Sequence, residues 1–136
     1  MGVSLGKDVA RTIEQARHAD YAASAELVCQ LQRGQRLTAE PLFMAVYCSA
    51  VRAWWDLVDL QICQEGAEAA HAVRRVRVRA RHYLTGQPVA SRAGTLFDHA
   101  LAHASRAAAR YFLARTGELF ARAAQSETAH TGEERE

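Results

Sequence analysis

Only two prolines, Pro41 and Pro88, occur in 136 residues, so long stretches of this chain are free to be helical. Proline inside an α-helix removes a hydrogen bond and clashes with the preceding turn, and here almost nothing imposes that break. The glycines best placed to end helices are Gly34, Gly66 and Gly86. Alanine is abundant and Ile and Thr are few, which also favours helix over sheet. The expected fold class is all-α: an antiparallel bundle of about four long helices in a single domain. A chain of this length buries roughly two-thirds of its unfolded surface, enough for a core without metal or disulfide support.

The first helix is expected from about Ser4 to Arg33, with Val9, Ile13, Ala16, Ala23, Leu27 and Leu31 at helical spacing. Asp20 falls on that stripe, and because unpaired carboxylates are seldom buried it is placed where the helix overhangs its partners. The second helix runs from a Thr38 cap to about Gln64, with Glu40 and Pro41 in its first turn. The third spans Ala67 to Leu84, where the run VRRVRVRAR also permits a short strand. A helix is preferred because Ala69, Ala72, Val73, Val76, Ala80 and Tyr83 recur at helical spacing and no partner strand exists. A second helix that continues into the third through Gly66 is the alternative reading. The fourth starts near Ser91 or Thr95 and reaches about Ala124, with Phe97, Leu101, Ala104, Ala108, Tyr111 and Phe112 inward and Gly117 as a possible kink. The domain boundaries read 1–125 for the bundle and 126–136 for a disordered acidic tail.

The net charge of +2 is unevenly distributed, because the final eleven residues carry −3. No apolar run approaches a membrane span, and the N-terminus lacks a signal-type apolar core. Three cysteines, Cys29, Cys48 and Cys63, without CxxC spacing read as buried free thiols. A cytoplasmic protein is expected.

Four constellations bear on function. On the second helix, apolar groups cover more than half the circumference, including Phe43, Tyr47, Trp54, Trp55 and Val58. Such breadth implies either a centrally buried helix or a flank that meets a second copy or another protein, and those five residues are the expected interface. The third helix carries Arg74, Arg75, Arg77, Arg79 and Arg81. With Arg106 and Arg110 of the fourth they offer a polyanion-binding alternative, although no helix-turn-helix or zinc-finger pattern accompanies them. Glu68 and His71 have Glu-x-x-His spacing, and His99 and His103 are an i, i+4 pair, so a metal-binding bundle is a further alternative. No phosphate loop, nucleophile elbow or paired-carboxylate frame is present, so no catalytic residue is assigned, no cofactor is expected and the chain is read as a non-enzyme. The leading reading is a small helical protein that acts by protein–protein binding, regulatory or adaptor in kind, and self-associates through its second helix.

Overall fold

A computed structural model describes residues 2–34, 39–86 and 96–135. They form four helices in the order α1 (Gly2–Gly34), α2 (Ala39–Glu65), α3 (Ala69–Thr85) and α4 (Leu96–Arg135), packed on one another as an all-α bundle. The expected Thr38 cap, the residues about Pro88 and the start of the fourth helix at Ser91 or Thr95 lie outside the described residues.

Gly66 separates α2 from α3. It adopts a left-handed φ of 61°, and its N–H returns to the Ile62 carbonyl at 2.7 Å, closing the last turn of α2. Only glycine takes this conformation at little cost, so the two helices form a hairpin rather than one continuous rod. On α3, Val73, Val76 and Ala80 are fully buried whereas Val78 is 48% exposed, which is a helical and not an alternating pattern. Tyr83, expected inside, is 46% exposed, and so is Leu101 of α4 at 43%. On α1 the buried stripe is Val9, Ile13, Ala16, Asp20 and Ser24, with Ser24 in place of the expected Ala23.

The helices run up, down, up and down, yet α2 and α4, which are parallel diagonal neighbours, make the most extensive contact of any pair. Phe43 meets His103 near the start of both helices, and Trp55 meets Phe112 farther along both. Ala104, Ala108 and Ala109 are fully buried on α4. Their small side chains let the two axes approach, squeezing the cross-section into a rhombus with α2–α4 as its short diagonal. α2 therefore touches α1, α3 and α4 at once. This accounts for much of its broad apolar circumference, while Phe43, Tyr47 and Trp54 stay half-buried and Leu60 is exposed. The core centres on Trp55, Phe112, Val58, Val73, Val76 and Ile13. Each such side chain contributes roughly 1.5–3 kcal/mol by apolar burial.

α4 continues as helix to Arg135, past the expected end at Ala124 and through residues expected to lack structure. No proline follows Pro88, and Glu, Ala and Arg in this stretch are compatible with helix. Gly117 does not break the helix either. Ala123 is the last buried residue among those whose side chains are described.

Candidate functional site

The five α3 arginines do not fan outward together. Positions 74, 77 and 81 lie three and four residues apart and so share one side of the helix, towards α4. Arg74 stacks its guanidinium over Phe120 at 5.1 Å. Arg77 crosses the interface to hydrogen-bond the Leu113 carbonyl and the Thr116 hydroxyl. Its pKa is held below the usual guanidinium value by burial and then by Arg81. Gly117 makes room: a Cβ there would lie 3.6 Å from the Arg77 guanidinium. Sequence reading saw a uniform outward cluster because an apolar stripe alone does not tell which flanking arginines meet a neighbouring helix.

Arg75 and Arg79, four residues apart, take the other side and wall a groove against α2. Arg75 pairs with Glu65 at 2.8 Å and donates to His71 at 3.1 Å. The groove, about 450 Å³, is completed by Gln61, Gln64, Glu65 and Val78. Leu60, one turn before Gln64, is 48% exposed, as is Val78. Of the α4 arginines, Arg110 is exposed and Arg106 half-buried.

The five residues expected at a protein interface lie in or against the core. Trp55 and Val58 are fully buried. Trp54 stacks on Phe112 at 5.9 Å and meets Tyr83 edge-on at 6.0 Å. Phe43 packs on Tyr47 and His103, and Tyr47 on Tyr111. These contacts accord with a centrally placed α2 flanked by three helices, while Phe43, Tyr47 and Trp54 each keep part of their surface exposed.

Asp20 is not on an overhang. It is 8% exposed and accepts hydrogen bonds from Trp55 Nε1 at 2.9 Å and from the Tyr111 hydroxyl at 3.1 Å. Arg115 Nε lies 3.7 Å away, buried and without a hydrogen-bond partner of its own. The carboxylate thus ties α1 to α2 and α4. Burial and then Asp20 itself push the Tyr111 hydroxyl up to about 12. A second network lies beside it on the α1–α2 seam, where Tyr21 donates to Asp56 at 2.7 Å and Arg17 pairs with Asp59. The buried Arg17 and Asp20 on the apolar stripe of α1 were the available signal for both networks.

Above Asp20 a cleft of about 210 Å³ opens between α1, α2 and α4, lined also by Ser24, Leu27, Met44, Tyr47, Cys48 and Tyr111. Cys48 is buried, its thiol pushed up by burial, with the Ser24 hydrogen bond opposing that shift. Cys29 and Cys63, expected to be buried, are exposed, since both face away from the bundle interior. All three thiols are free.

The metal alternative is not assembled. Glu68 and His71 sit at the α2–α3 turn, whereas His103 packs on Phe43, and His99 lies one turn nearer the start of α4. The 22 residues of α2 between Phe43 and Glu65 separate them by about 33 Å. Among the described residues no three His, Cys, Asp or Glu side chains are placed to hold a metal ion, and no helix is long and apolar enough to cross a membrane.

No protein-family model, curated protein or solved structure matches this chain.

Proposed function

We propose that this protein acts by binding, and that its partner is an acidic, amphipathic protein segment seated on the outer face of the α2–α3 hairpin. The observation that carries the reading is the combination at one groove of Val78, 48% exposed, with the guanidinium groups of Arg75 and Arg79, and the equal exposure of Leu60 one turn before the groove residue Gln64. Large aliphatic side chains beside a cationic wall suit a helix with leucines on one face and glutamates at its edge. Glu65 already engages Arg75, so Arg79 is the cation most available to a partner.

Nucleic acid is the weaker reading. A phosphate backbone favours a continuous basic track, and here Arg74 and Arg77 are turned onto α4. Self-association through α2 is the less favoured reading, because α2 already packs against α1, α3 and α4.

The test is fluorescence anisotropy with two probes of equal negative charge: a Leu/Glu amphipathic helical peptide and a single-stranded oligonucleotide. The peptide is expected to bind, and the variants Arg79→Glu and Val78→Asp should each weaken it about tenfold or more, the size of one hot-spot contact. Tighter binding of the oligonucleotide, or indifference of the peptide to both variants, would overturn the reading.

A further inference from the structure

The cleft above Asp20 lies between α1, α2 and α4, away from the hairpin face, and stands independently of the reading just given. Its walls are apolar apart from Asp20, Ser24, Cys48 and the hydroxyls of Tyr47 and Tyr111. We propose that this cleft is a binding site for a small organic ammonium ion with an apolar or aromatic body.

Three observations converge on that class. Each Asp20 oxygen accepts a single hydrogen bond, from Trp55 at one and Tyr111 at the other, so each retains acceptor capacity. The Tyr47 hydroxyl, which lines the same space, has no hydrogen-bond partner among the described residues. Among the described residues no cationic side chain lines the cleft, and Arg115 approaches Asp20 without being part of the wall. An anion would therefore meet a carboxylate offset only by Arg115 Nε, which lies 3.7 Å from it outside the wall. A cation would meet that carboxylate and two tyrosine rings packed edge to face at 6.1 Å, a lining that attracts ammonium groups through the ring quadrupole. Size narrows the class further. A cavity of roughly 150 Å³ holds benzene, so about 210 Å³ fits one ring with a short aminoalkyl arm. Leu27, Met44 and Val51 supply the apolar contact for that ring.

The probes are phenethylamine, its anionic counterpart phenylacetate and the uncharged ethylbenzene, followed by chemical-shift perturbation and thermal shift on the full chain. Phenethylamine should bind saturably, move the Trp55 indole N–H resonance and raise the melting temperature, while phenylacetate should do neither. Ala23→Phe tests the site without touching Asp20: residue 23 lines the cleft from an exposed position, so the ring can fill the space while the fold persists. This variant should lose at least tenfold in affinity at an unchanged melting temperature. Asp20→Asn should lower affinity for the amine but not for ethylbenzene. The proposal is overturned if phenylacetate binds as well as the amine, if Ala23→Phe leaves binding intact, or if no amine binding appears up to about 10 mM, beyond the millimolar range expected of so small a ligand.

Discussion

Trp55 donates its indole N–H to Asp20 at 2.9 Å, and both residues are buried although they stand 35 positions apart. The same carboxylate takes the Tyr111 hydroxyl and lies beside Arg115, so one side chain of α1 serves groups on two other helices. Its removal strands two donors, Trp55 Nε1 and the Tyr111 hydroxyl, and takes the nearby negative charge from Arg115.

Asp20→Ala should therefore destabilise the bundle by about 3 kcal/mol or more, the cost of breaking a buried charged network by deleting one member. Asp20→Asn keeps an acceptor for Trp55 and should cost roughly half as much. Urea unfolding followed by Trp fluorescence measures both. A loss below 1 kcal/mol for the alanine variant would mean that water replaces the carboxylate without penalty.

Alkaline pH should weaken the fold. The Tyr111 hydroxyl titrates near 12 in the folded chain, against about 10 when unfolded, and that of Tyr21 is also raised, by burial first and then by its Asp56 hydrogen bond. A raised acid favours the folded state fully below pH 10, and that contribution drains away as pH climbs from 10 through 12. Stability measured across this window should decline, and less steeply in Tyr111→Phe. A flat profile would contradict the burial of these hydroxyls.

Gly117→Ala should stabilise the protein. The new Cβ would meet only the Arg77 guanidinium, at an ordinary contact distance of 3.6 Å. Replacing a mid-helix glycine with alanine gains up to about 1 kcal/mol. Gly117→Leu, in contrast, should displace Arg77 from Thr116 and destabilise. If both substitutions destabilise, the guanidinium is held more rigidly than the interface geometry implies.

Light scattering should give a mass near the 15.0 kDa of one chain at micromolar concentration. Acrylamide should barely reach Trp55 and quench only Trp54. A concentration-dependent dimer that Leu60→Glu disrupts would restore self-association and relocate it to the hairpin face.

Removal of residues 126–136 should leave the melting temperature within a few degrees. This segment has no side chain larger in apolar character than Ala129, and the described core ends at Ala123. A fall of ten degrees or more, of the size that a lost packing contact of about 2 kcal/mol brings, would show that it braces the body.

The helices were legible because their signals are local. Gly34 and Gly66 punctuate apolar stripes, and the spacing of Val73, Val76 and Ala80 separates helix from strand within α3 alone. The polar groups were not legible, because their positions depend on residues far along the chain. Asp20 looked out of place on α1 until Trp55, Tyr111 and Arg115 supplied its neighbours. Arg77 looked solvated until Gly117 opened a berth for it. The breadth of the α2 apolar face was read correctly as a surplus, but two structures satisfy it, a second subunit or a rhombic bundle. The second of these depends on small residues far along the chain, the buried Ala104, Ala108 and Ala109 of α4, which no pattern within α2 reveals.

That close diagonal also shapes the birth of the molecule. Of the four helices, the one with the most extensive contact to α2 is made last, so on the ribosome Trp54, Trp55 and Tyr47 emerge well before Phe112 and Tyr111 exist to receive them. Translation adds about 5–20 residues per second, so the 57 positions from Trp55 to Phe112 take roughly 3–11 s to follow. Throughout that interval only α1, and then α3, can shield the aromatic side chains of α2, and a partly covered apolar helix is the kind of segment that chaperones hold and that neighbouring chains capture. Synonymous codon changes that slow decoding of the α4 segment should therefore lower soluble yield, even though they alter no residue of the finished protein.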